Sequence, residues 1–342
     1  MILEMAPMEG VTNYIYRQAF ARYYGGIDRY FTPFLSPNQN RSFLTKEWNE
    51  IRPENNAGID VIPQILSNRG DTFMWAVEQV QALGYREVNL NLGCPSGTVT
   101  SKKKGSGALA DLRMLKDFLD EIFMRCPLDI SIKTRIGVSD PEEFDAILEL
   151  YRQYPIKELI VHPRVQKQFY KGKLHPEAYE KALRQAGGIH PAAAGQGEES
   201  GEAGDLGSHS LLSVSYNGMI CTKEDAEKAM AAWPQTHALM LGRGLIANPA
   251  LALEIRGTGH RDKATLRAFC EELTARNREV LSGDTQLLGR MKEVWFYLLP
   301  LFTNYEAYQK PFRKARTYAA QQEVLSRLFD REELASDGRF ED

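Results

Sequence analysis

Ile130-Ser131-Ile132-Lys133-Thr134-Arg135-Ile136 is an apolar, β-rich run carrying two cations two residues apart, so Lys133 and Arg135 share one face of a strand. Asp140-Pro141 follows, with proline suited to the first turn of a helix, and helical periodicity continues to about residue 154. The same strand-then-helix unit recurs in both directions along the chain. Short β-rich runs fall at 2–6, 28–34, 60–66, 87–92, 129–135, 158–163, 211–216 and 238–242. Helical stretches lie at 12–24, 39–49, 71–84, 110–124, 141–154, 176–187, 223–232 and 247–256. Eight such units predict an α/β fold, a closed (β/α)8 TIM barrel. Periodicity does not fix strand order, which leaves an open doubly wound sheet as the alternative, but no Gly-x-Gly-x-x-Gly follows the first strand to support one.

A barrel of this kind needs about 250 residues, and the chain has 342. From about residue 259 the alternation stops, and helical stretches at 263–281, 289–303 and 321–329 succeed one another. The expected organisation is a barrel over 1–258 and a small all-helical domain over 259–342. Residues 191–210, rich in Gly, Ala and Glu, read as a flexible insertion before the seventh strand.

A formal charge of −3 excludes a globally basic nucleic-acid binder, so any RNA site has to be a local patch. The four cysteines (Cys94, Cys126, Cys221 and Cys270) are widely spaced, which argues against a disulfide framework or a structural zinc site, and no metal is expected. Glu4 and Glu9 interrupt the apolar start before a signal segment could form, and no run reaches the roughly 18 apolar residues of a membrane span. A cytoplasmic protein without an obligate protein partner is the expectation.

Catalytic groups of a βα barrel sit at the C-terminal ends of its strands. Here those ends read Pro7-Met8-Glu9-Gly10, Gln64, Asn91-Leu92-Gly93-Cys94-Pro95, Lys133-Thr134-Arg135, His162-Pro163-Arg164, Asn217-Gly218 and Gly242-Arg243-Gly244. The last two are glycine turns with an arginine, which suits a phosphate held by backbone N–H groups and a guanidinium; tight turns without a ligand are the alternative. Lys133 requires an anion, either a ligand or a buried carboxylate from another strand. Cys94 lies between Gly93 and Pro95, outside the strand, before a basic segment containing Lys102-Lys103-Lys104 that reads as flexible. A lone cysteine is commonly a small buried hydrophobe, and Cys126, Cys221 and Cys270 are read that way; the position of Cys94 at the mouth marks it as a reactive candidate.

These motifs, in this order, resemble those of the tRNA-dihydrouridine synthases, flavoproteins with an N-terminal barrel and a C-terminal helical domain. The match runs from Met5-Ala6-Pro7-Met8-Glu9-Gly10-Val11-Thr12 through Asn91-Leu92-Gly93-Cys94-Pro95-Ser96 to Gly242-Arg243-Gly244. The resemblance implies FMN across the mouth, with Pro7, Met8, Glu9 and Gln64 near the isoalloxazine and Lys133 beside its pyrimidine side. It places Asn217, Gly218, Met219, Gly242 and Arg243 at the cofactor, the phosphate falling to Gly218, Gly242 and Arg243. His162 would meet flavin or substrate, a structural histidine being the alternative. Asn91 would face the uracil or its sugar, Arg135 would join it, and Cys94 would donate the proton. NADPH would reload the flavin. Lys102, Lys103 and Lys104, with Arg313, Lys314 and Arg316 in the helical part, would meet tRNA phosphates; solvated helix faces are the plainer reading of each. The family usually has an acidic residue after Asn-Gly, where this chain has Met219, and strand seven reads Ser215-Tyr216 where small residues are common. Two other functions compete: an FMN-dependent dihydroorotate-type dehydrogenase acting on a free pyrimidine, and a tRNA-binding protein with a vestigial flavin pocket.

Overall fold

The computed structural model describes residues 1–186 and 212–335. Its strands are β1 (Ile2–Met5), β2 (Arg29–Phe31), β3 (Val61–Ile62), β4 (Gln64–Ile65), β5 (Glu87–Leu92), β6 (Asp129–Arg135), β7 (Glu158–His162), β8 (Ser213–Tyr216) and β9 (Ala238–Leu241). The order is β3-β2-β1-β9-β8-β7-β6-β5-β4, and every pairing between strands is parallel. β3 and β4 are the two halves of the expected 60–66 strand, parted at Pro63, which has no N–H to give to a ladder. Since β3 pairs with β2 and β4 with β5, this broken strand closes the circle, and an eight-stranded barrel results.

Alternation along the strands sorts the barrel into layers. Outward residues such as Val88, Leu90 and Leu92 of β5 join the large core shared with the helices. Inward residues form a polar floor at the strand starts, where Arg29 is bonded to Glu4 (3.0 Å), Glu87 (2.8 Å) and Glu158 (2.6 Å). Lys157 bridges Glu87 and Asp129 beside it. Burial and the neighbouring Glu158 raise the Glu4 carboxyl well above the ordinary range. Above the floor, Ala6, Phe31, Ile62, Ile160 and Met240 make a separate apolar cluster, and on β7 the inward series Glu158, Ile160, His162 passes through floor, plug and mouth in turn.

Three helical expectations change. The 39–49 stretch is a loop followed by Thr45–Ile51, whose start is fixed by Glu47 accepting from the Leu44 N–H. The 247–256 stretch is two short helices, Arg243–Ala247 and Leu251–Arg256, separated at Asn248-Pro249, where proline cannot continue the ladder. A further helix, Glu306–Lys314, carries Pro311 inside it, and that proline hides it from a periodicity reading. The helices Lys263–Val280, Asp284–Leu298 and Tyr318–Arg331 match the expected helical tail. Phe269 of the first packs edge-on against Tyr16 (5.5 Å) and Tyr24 (5.5 Å) of the barrel, so apolar packing is continuous from barrel to tail. The 191–210 insertion lies outside the described residues. No helix among the described residues is long and apolar enough to cross a membrane.

Candidate active site

A cavity of about 640 Å³ opens at the C-terminal end of the barrel, within the range typical of ligand pockets. Its wall brings together Pro7, Met8, Glu9, Gln64, Asn91, Cys94, Lys133, Arg135, His162, Asn217, Gly218, Met219, Gly242 and Arg243. The strand ends converge because the barrel is parallel and every strand finishes at one mouth. Lys102, Lys103 and Lys104 are not in this wall: the first two are exposed on the turn beyond it, and Lys103 faces Asp111 at 3.7 Å. Arg313, Lys314 and Arg316 are exposed around the end of the Glu306–Lys314 helix, also outside the cavity.

Buried amides organise the base of the cavity. Gln64 donates to Asn89 (2.8 Å), Asn89 to Ser131 (3.0 Å) and Asn91 to Gln64 (2.7 Å). The Asn91 carbonyl accepts from the N–H groups of Gly93 (3.1 Å) and Cys94 (2.9 Å), so Asn91 shapes the turn that carries Cys94 while leaving one amide hydrogen for a ligand. Arg135 holds the same turn from behind, donating to the Gly93 carbonyl (2.9 Å) and to Val165 (3.1 Å). Ser106 holds it from the front, giving both its N–H (3.0 Å) and its hydroxyl (2.9 Å) to the Cys94 carbonyl. The basic segment around Lys102-Lys103-Lys104 that reads as flexible is therefore held between a helical turn Gly97–Thr100 and a 3-10 turn Gly105–Ala110, with Gly105 to Leu109 buried under Cys94. Small residues permit this close packing; a Cβ on Gly105 would lie 2.7 Å from the Cys94 carbonyl oxygen.

Burial pushes the Cys94 thiol up, opposed by the Ser96 N–H and by Arg135 and Lys133. The group is a thiol, not a thiolate, at neutral pH. Lys133 is held down at about 7 by burial and then by Arg135. Among the described residues it has no carboxylate partner, so the buried ion pair weighed from sequence is not formed. His162 gives its Nδ1 proton to the Asn217 carbonyl (2.6 Å), since a carbonyl can only accept. Its Nε2 is a bare acceptor, buried with no protein partner, and burial with Arg135 and Lys133 nearby keeps the ring neutral.

Across the cavity, Arg243 donates to the Met219 sulfur (3.1 Å), the residue standing where an acid is usual in the resembled family. Gly244 is required by close approach, because a Cβ there would sit 2.1 Å from the Ile220 carbonyl. Tyr170 lies between two guanidiniums, 5.4 Å from Arg135 and 5.1 Å from Arg243. Among the described residues Glu9 is the one carboxylate in the wall, against Lys133, Arg135 and Arg243. A cavity with two guanidiniums, a bare imidazole acceptor and a buried lysine that has no carboxylate partner among the described residues fits an anionic, hydrogen-bonding cofactor such as a flavin mononucleotide.

Sequence reading missed several wall residues: Phe34, Phe169, Tyr170, Cys221 and Tyr297. Cys221, read as structural, is buried but borders the cavity. Phe169-Tyr170 lies among the lysines of the loop after β7, an aromatic pair that the reading of strand ends does not single out. Tyr297 comes from the Asp284–Leu298 helix, and no spacing rule connects it to the strand ends.

Fold and site together define a (β/α)8 barrel enzyme whose mouth cavity is lined by a cysteine thiol and by Lys133, Arg135 and Arg243. The dihydrouridine synthase (Dus) family model matches residues 4–190, more than half of the sequence, and the chain belongs to that family. The tRNA-dihydrouridine(16) synthase of Aquipseudomonas alcaligenes is 24% identical over 263 residues, 75% of each chain. A probable tRNA-dihydrouridine synthase of Staphylococcus aureus (strain Mu50) is 27% identical over 77% of this chain and 73% of its own. The tRNA-dihydrouridine synthase B of Pasteurella multocida is 22% identical over 78% and 73%. A solved structure of morphinone reductase superposes over 77% of this chain and 88% of its own at 13% identity and a TM-score of 0.48, too distant to carry an argument.

Proposed function

We propose that this protein reduces the 5,6 double bond of uridines in tRNA to dihydrouridine in the mouth cavity, with Cys94 as the proton donor. The observation that carries the reading is Cys94 itself, a thiol kept protonated by burial on a turn fixed by Asn91, Arg135 and Ser106. FMN would be held in this cavity by Pro7, Met8, Glu9, Gln64, Lys133 and His162 at its ring and by Gly218, Gly242 and Arg243 at its phosphate, with Asn217 and Met219 beside them. When bound, reduced FMN would supply the hydride to one carbon of the double bond, and NADPH would reload it. The other carbon takes a proton, and Cys94 holds it there. His162 presents an acceptor and Lys133 a cation, so a ring that donates through N–H and gains negative charge is favoured beside them. Asn91 offers its remaining amide hydrogen to the uracil, and Arg135 keeps the Cys94 turn in place.

Residues 259–342 act as a tRNA-binding domain in this reading, with Arg313, Lys314 and Arg316, and Lys102, Lys103 and Lys104 at the barrel rim, meeting phosphates. Purified, flavin-loaded protein with NADPH should form dihydrouridine in undermodified tRNA. The C94A variant should keep its yellow colour and its tRNA affinity and lose most turnover, on the order of the 10²–10⁴-fold that a positioned acid contributes. Wild-type turnover in that variant would remove Cys94 from the mechanism. Oxidation of free dihydroorotate with no action on tRNA would replace the substrate assignment.

A further inference from the structure

The loop after β7 holds an aromatic ring in a place where packing gives it no purpose. Phe169 has φ 50° and ψ −109°, a backbone conformation that suits glycine and is costly for a residue with a Cβ. The conformation is imposed from both sides. Gln166 and Lys167 donate to the carbonyls of Gly137 (2.8 Å) and Val138 (3.0 Å), the Gln168 side chain accepts from Val165 (2.9 Å) and donates to Lys173 (3.1 Å), and Arg164 donates to Gly172 (3.1 Å). The Phe169 ring nevertheless borders the cavity and is 52% exposed. Among the described residues it meets no other ring and no cation, whereas its neighbour Tyr170 is fixed between Arg135 and Arg243. Selection for stability alone would place glycine or asparagine here. Lys167, Lys171 and Lys173 on the same loop are exposed, and among the described residues none has an ion-pair partner.

We infer that Phe169 is a stacking platform for the base next to the target uridine, with the three lysines meeting the adjoining phosphates. The inference rests on the proposed action on tRNA. A uridine that leaves its stack to enter the cavity deprives its neighbour of a stacking partner, and an exposed aromatic face at the mouth replaces that partner whatever the base. The lysines supply the backbone charge that such single-stranded contacts use.

The test compares wild type with F169G and F169W. F169G should retain its flavin and melt at a higher temperature than wild type, because glycine relieves the backbone. Its tRNA affinity and its kcat/KM for tRNA should fall roughly ten-fold, the scale of one lost base stack, with the loss mainly in KM. F169W should restore both. In wild type, substrate RNA abasic at one neighbour of the target should show a loss of similar size, and F169G should suffer little further loss on that RNA. Unchanged tRNA affinity and kinetics in F169G, alongside an active wild type, would overturn the platform and leave the proposed function standing. Losses that stay fully additive whether the RNA is abasic on the 5′ or on the 3′ side of the target would also overturn it. A wild type without action on any tRNA would take the parent reading and this one together.

Discussion

Burial and the neighbouring Arg135 guanidinium hold Lys133 down at about 7, against a free lysine near 10.4. A depressed lysine means that the folded protein without ligand binds this proton less readily than the unfolded chain. Stability from this site therefore rises as pH rises from about 7 toward the ordinary lysine value, and is lowest below 7. An anion beside Lys133 reverses the preference by favouring the ammonium. Flavin affinity should consequently fall as pH rises above about 7, by at most roughly ten-fold per unit for one linked proton. Fluorescence titration of FMN between pH 7 and 9 measures this, and K133M should flatten the curve; an equal slope in both proteins would assign the pH dependence elsewhere. Much of this site was legible in the residues, because Lys133 and Arg135 share a strand face and Cys94 follows a strand end. That no carboxylate among the described residues pairs with Lys133 was not, since it depends on what the other strands place across the barrel. His162 also needed coordinates: only its bond to the Asn217 carbonyl says which nitrogen is bare.

The turn from β5 through Ala110 shows what an element adds to its residues. Gly105 has φ +56°, and a Cβ there would press on both the carbonyl (2.7 Å) and the Cβ (3.1 Å) of Cys94. G105A should cost about 1–3 kcal/mol of stability and displace the thiol. The expected result is a fall in kcat on tRNA of about ten-fold, consistent with an ångström-scale misplacement near reacting atoms, with flavin retained. Full activity at a lowered melting temperature would show that this packing supports the fold alone. The lysine and glycine content of 102–107 reads as looseness in one dimension; in three, the glycines are the condition for tight packing beneath Cys94. Pro63 and Pro311 misled in the opposite sense, one concealing a break inside a strand and the other concealing a helix around it. Local propensity places an element and leaves its interruptions to tertiary contacts.

At the scale of the molecule, a net charge of −3 leaves affinity for a polyanion to local patches. Arg313, Lys314 and Arg316 are exposed around the end of one helix, and no ion pair neutralises them among the described residues. Replacing all three by alanine should weaken tRNA binding and make the dependence of log Kd on log salt shallower by about two to three. Filter binding across a salt series would check it, and an unchanged slope would exclude the patch. The barrel was legible because eight strand-helix units repeat in order. The helical tail was legible as helices, but its reach into the cavity through Tyr297 was not, because that depends on how the Asp284–Leu298 helix lies against Arg243–Ala247. The floor of the barrel has a bearing on direction. Where the strands begin, Arg29 and Lys157 offset the carboxylates, whereas at the strand ends Lys133, Arg135 and Arg243 meet Glu9 as the one wall carboxylate among the described residues, so the surplus positive charge lies at the mouth. A phosphate chain drifting past is drawn to that end, and orientation begins before any contact is made.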